Sequence, residues 1–339
     1  MQQRGPVALV MPFKDEAERL PAVLASIAAQ RYDGGRLRLI AVDNGSRDGG
    51  GEIVRWWLER TGMAGEVVDA RRPSIPHALN CGLGRVAADE IVVRLDAHTV
   101  YGPEYVAAIE QALSSLPGEV WCVGGAPVPG EEPRFGEALH AALFTNPMGL
   151  GPAPFRSSAD VREVEHVYLG GWRPGVLQRL GGWDERWRAN EDCELSARLR
   201  AGGGRIVRIP LESRVLITRG PLGAVRQWAR YGYWRARTIR EHPEVMRGRH
   251  LIPPVALLGA AVAAATPLRV ALLPAAGLYA AGVIAGRRRE EAALVTLASP
   301  GFFAAVHVAY ALGLLAGAAA MERGRTPTPA AALSAPPVR

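Results

Sequence analysis

The chain has 339 residues, of which 48% are hydrophobic and 22% are charged, so it can bury a sizeable core and is not a disordered chain. Its 40 Lys and Arg against 33 Asp and Glu give a net charge of +7. No helix-turn-helix, zinc-finger or RNA-binding signature accompanies that charge, so we expect no nucleic-acid partner. Three scattered cysteines (Cys81, Cys122 and Cys193) are too few for a disulfide framework or a cysteine-based zinc site and indicate reduced thiols in the cytosol.

The first 215 residues alternate strand-like and helix-like segments. Apolar runs predict strands over 7–11, 37–42, 66–69 and 90–95. Helical spacing of apolar residues predicts helices over 16–29, 52–60 and 74–86. Such repeated units predict an α/β fold with a mostly parallel sheet, in which ligands bind at the carboxyl ends of the strands. Asp43 and Asp96 follow two of these strands, so we expect the functional site at that edge.

The composition changes near residue 250, after which Ala, Leu, Val and Gly dominate up to residue 320. The apolar runs 251–268, 270–286 and 302–320 predict three transmembrane helices, with residues 299–301 dividing the last helix from an interfacial lead-in. A buried helical core domain is the alternative. Arginines before the first run and between the second and third runs place both segments on the cytoplasmic side.

The first residues lead directly into a strand, so we expect no signal peptide. The expected organisation has four parts: an α/β domain over 1–225, an amphipathic interfacial segment over 226–250, about three transmembrane helices over 251–320 and a disordered tail over 321–339.

Two common nucleotide-binding motifs do not occur in the sequence. The first strand runs into PFKDE at 12–16 instead of a G-x-G-x-x-G turn, the glycines at 49–51 lack that spacing, and no P-loop is found. Six segments instead resemble, in the same order, the motifs of the family 2 glycosyltransferases: VMPFKDE at 10–16, VDNGSRDG at 42–49, ALNCG at 78–82, DAH at 96–98, GGWDE at 181–185 and NEDCEL at 190–195. Segments 94–99 and 226–233, with the C-terminal apolar runs, resemble the subgroup of the succinoglycan-biosynthesis glucosyltransferase. The resemblance implies a GT-A fold.

Asp96 and His98 stand at the position of the D-x-D motif of this family, with His98 in place of the second Asp. A sugar-nucleotide donor has a diphosphate leaving group, whose charge a divalent cation commonly neutralises. Asp96 offers an oxygen and His98 a nitrogen, a pair that suits Mn²⁺ somewhat better than Mg²⁺. The alternatives are that both residues simply end a strand, or that His98 contacts the diphosphate or the sugar.

The resemblance also implies contacts with the nucleotide sugar from the first two motifs. Pro12, Lys14 and Glu16 belong to the first motif, although Lys14 departs from the Tyr that is usual there. Asp43, in the second motif, is expected to accept the imide N–H of uracil. Turn capping is the alternative role for Asp43, because the sequence after it is turn-forming.

Three arginines are candidates for contacts with the donor. Arg72 follows the third strand and is expected at the diphosphate or the nucleobase, or else in a solvated surface pair. Arg94 points along its strand toward Asp96 and is expected near the donor. Arg230 belongs to an element similar to the Q-x-x-R-W motif and is expected to close over the diphosphate. An interfacial amphipathic helix is the other interpretation of that element, and the two are compatible.

Asp192 is the expected catalytic base. A carboxylate with an ordinary pKa of about 4 can accept the proton of a sugar hydroxyl late in the attack. Asn190 is expected to cap the next helix, whose dipole keeps Asp192 ionised, and Glu191 to orient the loop or the acceptor. Dipole-matched capping is the alternative for this acidic helix start. Three tryptophans are expected either to stack on an acceptor sugar or to pack in the core: Trp172, Trp183 and Trp187.

One base, one metal and no candidate nucleophile imply a single displacement with inversion. The resemblance thus predicts a membrane-anchored glycosyltransferase that moves a hexose, glucose from UDP-glucose, to a saccharide on a polyprenyl diphosphate lipid. The active domain would face the cytoplasm at the inner membrane and serve exopolysaccharide or glycolipid synthesis. Two alternatives stay open: a polyprenyl-phosphate sugar synthase, and a non-catalytic membrane-tethered protein that binds sugar nucleotides.

Overall fold

The computed structural model describes residues 5–32, 36–70, 72–130, 134–151, 160–216 and 220–322. Most of the expected tail over 321–339 lies outside these residues. The chain divides into two compact units. Unit 1 comprises Met1–Glu131 and Ala153–Leu216, and unit 2 comprises Glu132–Pro152 and Ile217–Arg339.

Unit 1 is an α/β unit whose described residues form nine strands: β1 (Val7–Phe13), β2 (Leu37–Asp43), β3 (Gly65–Asp69), β4 (Ile91–Arg94), β5 (Thr99–Tyr101), β6 (Val120–Pro129), β7 (Arg162–Glu163), β8 (Tyr168–Trp172) and β9 (Arg205–Val215). Its helices are α1 (Leu20–Ala28), α2 (Gly50–Thr61), α3 (Ile75–Leu83), α4 (Tyr105–Ser115), α6 (Val176–Arg179) and α7 (Glu191–Ala201). Unit 2 contains α5 (Phe135–Thr145), α8 (Pro221–Glu241), α9 (Gly248–Ala264), α10 (Leu272–Ala285) and α11 (Ala293–Glu322).

The strands of unit 1 form one mixed sheet in the order β3-β2-β1-β4-β8-β6-β9-β5, with β7 paired to β9. The first four strands in this order are parallel, and β6 and β9 are parallel to each other. β8 is antiparallel to both of its neighbours, β4 and β6. The predicted α/β class is therefore confirmed, with antiparallel strands added in the second half of the unit.

Helices cover both faces of the sheet at β1. All seven residues of β1 are buried. Leu9 belongs to the same buried cluster as α1, whereas Val10, on the opposite face, clusters with α3. Gly82 permits the close approach of α3, because a Cβ at this position would lie 2.5 Å from Cγ1 of Val10.

The carboxyl ends of β2, β1 and β4 lie side by side. Asp43, at the end of β2, is in register with Phe13 of β1. The N–H of Leu95, just after β4, donates to the carbonyl of Val10 at 2.9 Å. Since neighbouring strands lie about 4.8 Å apart, Asp43 and Asp96 follow strands whose axes are separated by roughly 10 Å. The sheet therefore brings both sequence-predicted acids to one edge.

Unit 2 is helical, and its two longest helices pack closely through glycines. A Cβ at Gly232 of α8 would lie 2.1 Å from the carbonyl oxygen of Tyr310, and one at Gly313 of α11 would lie 2.0 Å from that of Ala229. Helix backbones can approach so closely only where the facing residues are small. Trp234 is also buried in this unit.

Two stretches of unit 2 are long and apolar enough to cross a membrane, Pro267–Ala285 and Ala293–Met321, whereas α9 is shorter. The expected division of the last helix at 299–301 is wrong, because α11 continues through Pro300. A buried core helix meets the same criterion of length and composition. Each stretch contains an 18-residue window of high hydropathy. In Ala293–Met321, 44% of that window is buried, whereas in Pro267–Ala285 only 6% is buried. Pro267–Ala285 therefore exposes an apolar surface.

Candidate functional site

A buried arginine organises the acidic groups at the carboxyl edge of the sheet. The guanidinium of Arg94, the last residue of β4, lies 3.4 Å from Oδ1 of Asp96 and 3.3 Å from Oε1 of Glu191. These three side chains are only 11–14% exposed. The acidic start of α7 therefore meets the end of β4, although the two are almost 100 residues apart in sequence.

The carboxylates around Arg94 outnumber its single positive charge. Burial lowers the pKa of Arg94, but the surrounding carboxylates outweigh this effect and raise the pKa above its ordinary value. Burial raises the pKa of Glu191, and repulsion from Asp192 and Asp96 adds to the rise although Arg94 opposes it. This excess of negative charge favours a bound cation.

His98 lies between two carboxylates at this edge. Its Nδ1 is 3.6 Å from Oε1 of Glu16, and its Nε2 is 3.9 Å from Oδ2 of Asp96. His98 is 40% exposed, so the group is open on one side. The structure thus brings together three sequence-predicted site residues, with oxygen and nitrogen donors that fit Mn²⁺ or Mg²⁺.

Tyr101 fixes the backbone of Asp96, a contact that sequence reasoning missed. The phenol oxygen of Tyr101 accepts the N–H of Asp96 at 2.7 Å, and its O–H donates to the carbonyl of Asp96 at 3.1 Å. The neighbours Leu95 and Ala97 are buried, so the Asp96 segment is held from both sides. Burial, followed by the charge of Asp96, raises the pKa of Tyr101, which keeps it a neutral donor.

Asp43 has the turn-forming contact that was the alternative to a nucleobase role. Its Oδ1 accepts the N–H of Ser46 at 2.7 Å. Its Oδ2 faces the start of α2, where a Cβ at Gly51 would lie 2.9 Å away. Contact with uracil stays a prediction for this residue.

The remaining residues of the first motif differ in exposure. Pro12 is buried inside β1, whereas Lys14 is exposed on the loop that follows. Asp15 adopts a positive φ of 52°, and its Oδ1 accepts the N–H of Arg47 at 2.8 Å. This bond ties the loop after β1 to the loop after β2, so the two predicted donor-binding motifs are adjacent.

The other two predicted donor-binding arginines, Arg72 and Arg230, are exposed. Arg72 is 74% exposed, and its guanidinium lies 3.7 Å from Oε2 of Glu185. Burial raises the pKa of Glu185, but hydrogen bonds with His77 and Asn80 and the charges of His77 and Arg72 together bring this pKa below its ordinary value. Arg230 is exposed on α8 in unit 2. Arg71 lies outside the described residues.

Asp192 lies in the first turn of α7, as expected, and its Oδ1 accepts the N–H of Cys193 at 2.8 Å. Together with Arg94 and Tyr168 it lines a cavity of about 50 Å³. Asn190 occupies the N-cap position of α7 as expected, but with a φ of 61° its side chain makes no capping hydrogen bond, so the expected side-chain cap is wrong. Asp192 and Arg94, at the end of β4, therefore line the same cavity.

The three tryptophans are buried, which favours the packing alternative over stacking on a sugar. Trp187 is fully buried, and Trp172 meets Trp183 edge-on with ring centroids 5.7 Å apart. Trp183 also lines the cavity beside Asp192. The aromatic groups of this region therefore support the walls of the site.

Asn80 joins two of the sequence motifs, and sequence reasoning gave it no role. Its amide donates to the carbonyl of Trp183 at 2.8 Å and accepts the N–H of the same residue at 2.8 Å. On the other side, Arg198 of α7 donates to the carbonyls of Leu180 and Gly182. The GGWDE segment is thus fixed to both α3 and α7.

A mostly parallel sheet with an anionic group at the carboxyl edge of its strands is compatible with the expected GT-A fold, whereas the activity has to come from the family. The chain belongs to the family 2 glycosyltransferases. The model of glycosyl transferase family group 2 matches residues 91–318, and that of glycosyl transferase family 2 matches residues 8–167. The protein is therefore a glycosyltransferase.

Three relatives illustrate the similarity. The succinoglycan biosynthesis protein ExoA of Rhizobium meliloti (strain 1021) is 26% identical over 250 residues, which are 72% of this chain and 73% of ExoA. The mannosyltransferase PcManGT from Pyrobaculum calidifontis, solved with GDP-Man and Mn²⁺, is 22% identical with a TM-score of 0.63, covering 91% of this chain and 87% of its own. S. aureus TarS 1-349 with UDP is 12% identical with a TM-score of 0.50, covering 94% and 92%. The two structures support the GT-A fold.

Proposed function

We propose that this protein is a membrane-anchored inverting glycosyltransferase that moves a hexose from a UDP-sugar to a hydroxyl group of a lipid-linked saccharide. The observation that carries this proposal is the shared site around Arg94. Asp96 lies on one side of its guanidinium, and Asp192 lines the same cavity as Arg94. A group for the leaving diphosphate and a group for the incoming hydroxyl are therefore close together.

Asp96 and His98 would hold a divalent cation, Mn²⁺ or Mg²⁺, with Glu16 beside them. When bound, that cation would neutralise charge on the departing diphosphate. Asp43 would accept the N–H of uracil. Pro12, Lys14, Arg72 and Arg230 stay candidates for further donor contacts. The structures with GDP-Man and Mn²⁺ and with UDP support a nucleotide-sugar donor and a metal.

Asp192 would act as the general base for the acceptor hydroxyl. Its position at the N-terminus of α7 favours the ionised carboxylate. Glu191 pairs with Arg94, which leaves its neighbour Asp192 to face the cavity. With a single base in this role, the expected reaction is one displacement with inversion at the anomeric carbon.

The exposed apolar stretch Pro267–Ala285 supports an acceptor that resides in a membrane. Tethering an enzyme and its lipid-linked substrate to one surface raises their effective concentrations. Similarity to a succinoglycan biosynthesis protein supports a role in exopolysaccharide synthesis, and the resemblance to that subgroup favours glucose as the sugar. The arginines before α9 and after α10 favour the cytoplasmic face of the inner membrane.

Transfer from radiolabelled UDP-hexoses tests the proposal, with the full chain in detergent and a polyprenyl diphosphate-linked saccharide as acceptor. General-base catalysis contributes about 10²–10⁴-fold, so Asp192→Asn should lose at least about 100-fold in transfer while it retains UDP binding. Glu52→Gln, which changes an exposed acid in the first turn of α2, is the matched control and should keep full activity. Full activity of Asp192→Asn would refute the base assignment.

The choice of acceptor separates the proposal from its closest alternative. A polyprenyl-phosphate sugar synthase would label polyprenyl phosphate itself and would not depend on a base for a hydroxyl. Product formed on that lipid, with equal rates in the wild type and Asp192→Asn, would favour the synthase. UDP binding without transfer to either lipid would favour a non-catalytic protein.

A further inference from the structure

A second group of candidate metal-ligating side chains includes two residues at the start of α7. His166 precedes β8, and Asp192 and Cys193 are consecutive residues in the first turn of α7. One ligand atom from each of these residues, a nitrogen, an oxygen and a sulfur, lies within 4.8 Å of the others. His166 is 9% exposed and Cys193 is 6% exposed, so two of the three donors are almost shielded from solvent.

The chemistry of these donors differs from that of the Asp96–His98 pair. A thiolate is a soft ligand that favours zinc, whereas Mg²⁺ and Mn²⁺ prefer oxygen. Zinc commonly takes three protein ligands and keeps a fourth position for water. With bonds of about 2.0–2.3 Å in a tetrahedron, neighbouring donor atoms lie roughly 3.5 Å apart, so donors that are within 4.8 Å of one another would approach by at most about 1.3 Å.

We propose that His166, Asp192 and Cys193 form a zinc site that inhibits the enzyme. Each residue would supply one ligand, and the cavity that Asp192 lines has room for a water molecule beside it. Zinc would bind Cys193 as the thiolate and His166 through a nitrogen of the neutral imidazole. Zinc on this site occupies the carboxylate of Asp192, which then cannot accept a proton from the acceptor.

Two parts of this inference rest on different grounds. The binding of zinc depends only on the three donors and their spacing. The inhibition rests on the proposed function of Asp192 as the base. Metal binding is therefore measured directly, apart from transfer, so that failure of one part is distinguishable from failure of the other.

Cobalt replaces zinc as a coloured probe in the direct test. The full chain in detergent, titrated with Co²⁺, should develop the near-ultraviolet absorption of a thiolate–cobalt bond, and Zn²⁺ should remove it by displacement. Cys193→Ser should abolish this absorption. Because loss of a group that merely supports a ligand weakens metal binding by about 10–100-fold, loss of the thiolate should weaken zinc affinity by at least about 100-fold.

Cys81→Ser is the matched control, since its sulfur lies 3.6 Å from Nε2 of His77 and forms another Cys–His pair. This variant should keep the absorption. If the absorption disappears in Cys81→Ser and persists in Cys193→Ser, or if the wild type shows none, the proposed site is refuted. His166→Gln provides a second variant should Cys193→Ser fold poorly, and it should lower zinc affinity with the thiol still present.

Transfer assays at a fixed excess of Mn²⁺ test the inhibition. Zinc should inhibit the wild type and Cys81→Ser at a concentration at least about 100-fold lower than for Cys193→Ser. Equal zinc sensitivity of Cys193→Ser and the wild type would refute inhibition through this site. A thiolate–cobalt absorption without zinc inhibition would keep the metal site and refute inhibition of transfer through it.

Discussion

Replacement of Arg94 by Met tests the charge arrangement on which the site depends. The guanidinium lies 3.4 Å from Asp96 and 3.3 Å from Glu191, and all three side chains are largely buried. Removal of one partner from a buried ion pair costs about 3–5 kcal/mol, because the other charge is left without compensation. For a unit of about 200 residues this loss corresponds to a fall in Tm of roughly 6–20 °C.

The destabilisation should depend on pH with a definite sign. The pKa of Glu191 is already raised by burial and by neighbouring acids, and loss of Arg94 removes the effect that lowers it. The folded variant then binds a proton at Glu191 more readily than the unfolded chain does. Its stability therefore rises as the pH falls from above the raised pKa of folded Glu191 toward the lower pKa of the same group in the unfolded chain. The difference in Tm between wild type and variant should therefore be larger at pH 7.5 than at pH 5.

Thermal unfolding of the full chain in detergent, without added metal, measures this effect. Arg31→Met is the matched control, because Arg31 and Glu104 form an exposed pair at 3.1 Å with exposed fractions of 74% and 56%. Such a pair contributes about 0–1 kcal/mol. A loss in Arg94→Met that is as small as in Arg31→Met, and independent of pH, would refute the reasoning.

Two glycine substitutions test the packing in each unit. Gly82→Ala should destabilise unit 1 by about 1–3 kcal/mol, because the new Cβ would lie 2.5 Å from Cγ1 of Val10, and thermal unfolding measures this loss. Gly313→Ala should destabilise unit 2 by a similar amount of about 1–3 kcal/mol, because its Cβ would lie 2.0 Å from the carbonyl oxygen of Ala229. Helical content and the melting transition report that loss.

Each glycine has a control on or beside the same helix. A Cβ at Gly84 would have its nearest neighbour at 3.5 Å, and one at Gly301 of α11 would have nothing within 4 Å. Gly84→Ala and Gly301→Ala should therefore leave the melting transitions almost unchanged. Equal behaviour of a glycine and its control would contradict the close approach inferred for that helix.

The position of the site could be predicted from the sequence because an acidic residue stands at the end of two of the buried strands. Strand β1 reads as one apolar run, and the acids Asp43 and Asp96 directly follow two such runs. Parallel pairing then places them at the same edge, and the structure has them there. The residues in the first turn of α7 were likewise recognisable from the motif around Asp192.

The contacts between distant segments could not be predicted in the same way. Arg94 meets Glu191 only because α7 folds back over the end of β4, and no local pattern encodes that meeting. The double hydrogen bond of Asn80 to the backbone of Trp183 has the same origin. Pro300 predicted a break because a proline inside a helix removes a backbone hydrogen bond, but α11 continues through it.

Calorimetric titration of UDP into the full chain, with and without Mn²⁺, tests the central claim most directly. We expect Mn²⁺ to strengthen UDP binding in the wild type and in Asp192→Asn, and this strengthening to be lost in Asp96→Ala. UDP binding that is equally strong without Mn²⁺, or a Mn²⁺ effect that survives in Asp96→Ala, would contradict the claim that the acids at the end of β4 hold a cation for the donor diphosphate.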